Sequence, residues 1–249
     1  MSTEPKISLL VVTNRPGGIE ILKDNLDRQT FRDFEVVLVD ELYDWRKEEV
    51  AEYLKEYQLT HLKPRPKLEG DAWNLNKAYN DGIAASRGKF LVSLQDYIWI
   101  SANGLHRFWE TYEMHPLALV TGVGHKYKNP DKLDHRGRIS CFKELRHPTV
   151  VEEFDDRMRF EFGLREQNST YYELNWSSFP MGMKFDEEMD KCFGGDNVVF
   201  AKASGLTVYV DRINECKGYS TKLFGRPGGW EENHFNKIGY AGNITTNNA

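Results

Sequence analysis

Asn74–Asp96 reads NLNKAYNDGIAASRGKFLVSLQD. Leu75, Ala78, Tyr79, Gly82 and Ile83 recur at the three- and four-residue spacing of an amphipathic helix, predicted over Trp73–Ser86. Phe90–Leu94 follows as a short apolar run, the pattern of a buried strand. That strand delivers Asp96 to its carboxyl end, the edge where open α/β sheets bind ligands. The chain opens in the same way: Ile7–Thr13 reads as a buried strand and runs through Asn14-Arg15-Pro16-Gly17-Gly18 into a helix predicted over Gly18–Gln29. A second polar cluster is therefore expected on the same sheet edge.

On both sides of this stretch, strand and helix patterns alternate. Phe34–Asp40 is a strand, Trp45–Tyr57 a helix, Thr60–Lys63 a short strand, Pro64–Gly70 a loop, Asn103–His115 a helix and Leu117–Val123 a strand. Such alternation predicts a mostly parallel central sheet flanked by helices. Between His125 and Gln167 the pattern fades into dense charge, which reads as a lid or insertion rather than core. Phe185–Asp190, the turn-like Gly194-Gly195-Asp196-Asn197, a helix from Val198 to Ser204 and a strand from Leu206 to Val210 follow. From Gly218 onward Gly, Pro and Asn accumulate, and Asn243–Ala249 reads as a frayed end.

With 249 residues the chain is long enough for a substantial core, and one large α/β domain is expected. Its 33 Lys and Arg against 38 Asp and Glu give a net charge of −5, which argues against a surface built throughout for nucleic acid. Cys141, Cys192 and Cys216 are an odd set without metal-ligand spacing, so reduced thiols are expected. No apolar run approaches the ~18 residues that span a bilayer. Met1–Lys6 also lacks the layout of a signal peptide, and a cytoplasmic protein is expected.

Three segments together resemble the family-2 glycosyltransferases, over about Lys6–Asp211. The first is Ile7–Thr13 ending in Thr13-Asn14-Arg15, with Phe34–Asp40 ending in an acid. The second is Leu75-Asn76-Lys77-Ala78-Tyr79-Asn80-Asp81-Gly82-Ile83 followed by Gly88-Lys89-Phe90. The third is Phe185-Asp186-Glu187-Glu188 followed by Gly194-Gly195-Asp196-Asn197. The resemblance implies a GT-A fold, Rossmann-like, with an acceptor-side insertion. It divides the one domain into a nucleotide-binding half of about 6–124, a half of about 125–215 carrying the lid and the catalytic base, and a tail of about 216–249. It also implies an inverting transferase that takes a sugar from a nucleotide-diphosphate sugar, UDP-linked by family habit, with Mn²⁺ or Mg²⁺. Thr13, Asn14 and Asp40 fall where the family holds base and ribose.

One departure stands out. Where the family has Asp-x-Asp or Asp-Asp after its fourth strand, this chain has Gln95-Asp96-Tyr97, so one carboxylate remains. A divalent cation can still be held by one carboxylate with phosphates and waters. Asp96 is the expected anchor, Gln95 its neighbour at the nucleotide, and His234, with His125 behind it, a candidate second ligand. Arg15 and Lys77 are candidates to neutralise phosphate on the leaving group. The attacking hydroxyl needs a carboxylate base, and Asp196 is the candidate. It stands at the predicted start of a helix, where the dipole favours an ionised carboxylate, with Asp186 and Asp190 in reserve.

The acceptor is left open by the residues: a glycan, a lipid-linked sugar, a protein side chain or a modified nucleic-acid base all suit His125–Gln167, with its Arg136, Arg138, Lys143, Arg146 and His147. Two other functions share the layout. A sugar-nucleotide-binding protein without turnover fits the missing second acid. A sugar nucleotidyltransferase needs a glycine-rich basic loop after the first strand, and Asn14–Gly18 offers two glycines and one arginine.

Overall fold

The computed structural model describes residues 4–15, 18–127, 151–153, 164–167, 174–191 and 196–218. Along the chain run β1 (Ile7–Thr13), α1 (Ile19–Arg28), β2 (Phe34–Asp40), α2 (Tyr43–Tyr53), β3 (Leu59–Leu62), α3 (Leu75–Ala85), β4 (Phe90–Leu94), β5 (Ile98–Ile100) and α4 (Gly104–Met114). Then come β6 (Leu119–Tyr127), β7 (Val151–Glu153), β8 (Leu164–Gln167), β9 (Trp176–Pro180), a 3-10 turn at Glu187–Lys191, α5 (Asp196–Ser204) and β10 (Val208–Gly218).

The strands lie in the order β3-β2-β1-β4-β9-β6-β10-β5, with β7 paired to β6 and β8 to β10. The first four are parallel, as the alternating pattern predicts, and β6–β10 is a second parallel pair. Antiparallel β9 lies between β4 and β6. β1 and β2 are joined through α1, and β3 and β4 through α3, so their carboxyl ends share one edge.

Because side chains alternate along a strand, each face of the sheet collects its own core. Ile7, Leu9 and Val11 of β1, Val36 and Leu38 of β2 and Val92 of β4 pack with Leu22 and Leu26 of α1 and Leu105 and Phe108 of α4. On the other face Leu10, Val37, Val39 and Leu91 pack with Ala78, Tyr79 and Ile83 of α3 and with Phe200 and Ala201 of α5. The helical spacing in Asn74–Asp96 thus places α3 where it was expected. It also seats the helix that begins at Asp196 in the same layer.

The segment 125–167 departs from a plain insertion. Its two short described strands extend the sheet, β7 opposite Lys126 and Tyr127 and β8 opposite Val208–Asp211. The remainder of that segment, Arg136, Arg138, Lys143, Arg146 and His147 included, lies outside the described residues, as does the frayed-end expectation for 243–249. Among the described residues no helix is long and apolar enough to cross a membrane.

Candidate functional site

The carboxyl ends of β3, β2, β1 and β4 carry one connected polar network. It begins at Asp40, the last residue of β2. This fully buried carboxylate accepts from Arg46 Nε at 2.8 Å and Nη2 at 2.9 Å, from the Leu42 amide at 2.8 Å, and meets His61 Nε2 on β3 at 3.1 Å. Burial alone would raise the Asp40 carboxyl, but Arg46 and His61 beside it outweigh burial and hold it below its ordinary value. α2 breaks at Arg46, whose guanidinium turns back to this carboxylate and also donates to the Arg15 carbonyl at 2.8 Å.

Arg15 carries the network across to β4. Its amide donates to Thr13 Oγ1 at 3.2 Å, and its Nη1 lies 2.5 Å from Asp96 Oδ1. Thr13 Oγ1 in turn donates to Asp96 Oδ2 at 2.5 Å. The Tyr97 ring stands 5.5 Å from the Arg15 guanidinium carbon. Asp96 is 3 % exposed, so its charge needs the partners it has. Gly18, which caps α1, presses on the same residue: a Cβ built there would stand 2.8 Å from Asp96 Cβ. Two buried polar atoms in this cluster, Arg15 Nε and Gln95 Oε1, have no hydrogen-bond partner among the described residues. An unpaired donor and acceptor beside a buried ion pair are what a polar ligand would satisfy.

The expected site residues separate into two groups. Thr13, Asn14, Arg15, Gln95 and Asp96 do fall at adjoining strand ends. Asp40 reaches the same edge, but an aspartate has about four lone-pair positions, and Leu42, Arg46 twice and His61 fill them. Those four bonds commit it to the protein, where it anchors Arg46. Lys77 is also committed internally: its ammonium lies 2.5 Å from Asp71 and 3.6 Å from Asp190, with 7 % of the side chain exposed. That hydrogen bond holds the Asp71 carboxyl below its ordinary value. Asp190, a reserve base, is fully buried under the first turn of α3.

Asp196 begins α5, two residues earlier than the pattern suggested. His234 lies outside the described residues, and His125 falls on β6 opposite Lys217. Among the described residues no three His, Cys, Asp or Glu side chains gather as metal ligands. Asp96 alone stands at the position of the family's metal motif, and Arg15 already occupies one of its oxygens. A divalent cation on Asp96 would have to share that carboxylate with Arg15 and Thr13, which engage both of its oxygens.

Arg46 and His61 were not anticipated. A lone Arg six residues past a strand and a lone His in a four-residue strand carry no recognisable spacing. Only the contact at Asp40 reveals them.

The model of the glycosyl transferase family 2 matches residues 9–178. No sequence among curated proteins matches the chain. Among solved structures, S. aureus TarS 1-349 shares 17% identity at a TM-score of 0.61, over 88% of this chain and 62% of that one. TarS 1-349 in complex with UDP-GlcNAc shares 15% at 0.62, over 91% and 60%. GalNAc-T7 with UDP, GalNAc and Mn²⁺ shares 12% at 0.57, over 88% and 45%. This chain spans about three fifths of the TarS fragment's length, and at these identities the likeness shows a shared GT-A fold. The family match takes in the strand ends carrying Thr13, Arg15, Asp40 and Asp96, and with it the chain belongs to glycosyltransferase family 2.

Proposed function

We propose that the chain moves a sugar from a nucleoside-diphosphate sugar, UDP-linked, to an acceptor hydroxyl with inversion at the anomeric carbon. The observation that carries this reading is the buried Thr13–Arg15–Asp96 cluster, where β1 and β4 end side by side with an unpaired donor and acceptor. The UDP-bound forms of TarS and GalNAc-T7 support the donor class.

In this mechanism the diphosphate leaves as a sugar–oxygen bond breaks, and its growing charge is met by Arg15, held in place by Asp96. The acceptor hydroxyl attacks the opposite side of the anomeric carbon and gives its proton to Asp196. The dipole of α5 favours the ionised form of that residue. A single displacement of this kind inverts the configuration. The nucleotide-binding half, about 6–124, and the base-carrying half, about 125–215, act as one domain.

The test is a pair of measurements on Asp196→Asn. UDP-sugar affinity by calorimetry should stay within about threefold of the parent, while transfer and acceptor-free release of UDP fall roughly 10²–10⁴-fold, the range for loss of a general base. Undiminished turnover would move the base elsewhere. Tight donor binding by a parent that releases no UDP would favour a binding protein, a reading for which the single acid in Gln95-Asp96-Tyr97 speaks.

A further inference from the structure

We infer that Arg15 takes the place of a divalent cation, so that the chain holds a nucleoside diphosphate without metal. The inference rests on the donor-site reading above and starts from charge. One divalent cation on two carboxylates sums to zero, and so does one guanidinium on one carboxylate. Asp96 stands alone between neutral Gln95 and Tyr97, and the charge that meets it is Arg15, at 2.5 Å. A metal on Asp96 would have to displace Arg15 or sit against it, cation beside cation.

The geometry supports the substitution. A cation that stabilises a leaving group acts best when it is held in position beforehand. Arg15 is held through its main chain as well as its side chain, since its amide bonds Thr13 and its carbonyl accepts from Arg46. Arg46 is itself 3 % exposed and clamped by both oxygens of Asp40. Arg15 keeps 20 % of its side chain exposed, while its Nε has no partner among the described residues. A guanidinium presents several N–H groups in one plane, matched to phosphate oxygens. With Nη1 on Asp96, the exposed part of the Arg15 side chain is left to meet the diphosphate, while Nε itself is buried. Asp96 then acts as the positioning residue for Arg15 rather than as a metal ligand.

The experiment is calorimetric titration of UDP and UDP-GlcNAc into the full chain, in EDTA and again in Mn²⁺, for the parent, Arg15→Lys and Arg15→Ala. The parent should bind in EDTA within about threefold of its affinity in Mn²⁺. Arg15→Ala should weaken binding roughly 10- to 100-fold in both buffers, the loss expected for a charge-assisted contact to phosphate, and Arg15→Lys should weaken it less. The EDTA arm on the parent needs no variant to fold, and thermal melts identify any variant that does not. Binding that vanishes in EDTA and returns with Mn²⁺ overturns the inference and leaves the donor-site reading standing. A parent that binds neither nucleotide in either buffer overturns both.

Discussion

Asp190 caps α3 from 114 residues along the chain: its Oδ1 accepts the Asn76 amide at 2.8 Å and its Oδ2 the Lys77 amide at 3.1 Å. The first N–H groups of a helix have no partner within it, and Asn74, at the cap position, makes no side-chain cap bond. The Asp190 carbonyl also receives the Ala72 and Trp73 amides. One buried aspartate thus joins the 3-10 turn, the loop before α3 and the helix that precedes the strand leading to Asp96. Asp190→Ala strands two amides and removes one of the two acids facing Lys77, a loss of about 2–4 kcal/mol. Urea unfolding should show it, with Asp190→Asn, which keeps one acceptor, falling between. Equal stability of parent and Asp190→Ala would mean that Asp71 alone holds this corner.

The Arg46–Asp40 pair predicts a pH signature. With its folded value below the ordinary 3.8, the Asp40 carboxylate gives stability that is fully present above 3.8 and is lost as pH falls through the lower folded value. Arg46→Met leaves a buried carboxylate with less compensation, costing roughly 3–5 kcal/mol at neutral pH. In that variant burial raises the Asp40 carboxyl, so protonation relieves the defect. The stability gap between parent and variant should therefore narrow as pH drops from 7 toward 4.5 in urea titrations. A gap independent of pH would assign the loss to packing rather than charge.

The parallel core was legible because its signals are local. The helical spacing of Leu75–Ile83 and the apolar runs of β1, β2 and β4 owe nothing to distant partners. β9 was not anticipated because Ser177 and Ser178 stand at its centre. Both are buried only through their position between β4 and β6, a fact of tertiary order with no trace in the run itself. The second half of β10 was missed for a related reason: Asp211 and Asn214 look like surface residues, yet they are buried against Arg107, Trp176 and Gly104. At the site, strand ends revealed which residues share an edge. They could not reveal that Asp40 and Lys77 spend their charges on Arg46 and Asp71.

Gly82 tests packing against propensity. Alanine in a helix interior gains about 1 kcal/mol over glycine. A Cβ at Gly82, however, would stand 2.3 Å from Leu10 Cδ1 and 2.9 Å from Val39 Cγ2. Both are core atoms of the strands beneath, and overpacking there costs typically ~1–3 kcal/mol. Gly82→Ala should therefore be destabilising, by up to about 2 kcal/mol after the propensity gain. A net increase in the melting temperature would show that α3 can lift away from β1 and β2 cheaply.

Gly18→Ala applies the same steric change at the site. The backbone there has φ −140°, open to any residue, so no left-handed strain enters. The added Cβ would meet Asp96 Cβ at 2.8 Å and the Asp96 carbonyl at 3.0 Å, and either α1 or the end of β4 must move. Moving Asp96 moves Arg15 with it, since the two are bonded directly and again through Thr13. The stability loss should exceed that of Gly82→Ala, at about 1–3 kcal/mol, because at the cap position no helix-interior propensity gain offsets the overpacking. Donor affinity should distinguish them: UDP binding weakens roughly tenfold in Gly18→Ala, the equivalent of about 1.4 kcal/mol, and stays near parental in Gly82→Ala. Calorimetry on the two variants side by side, below their melting temperatures, makes the comparison. Equal affinities would place the nucleotide away from the Arg15–Asp96 pair.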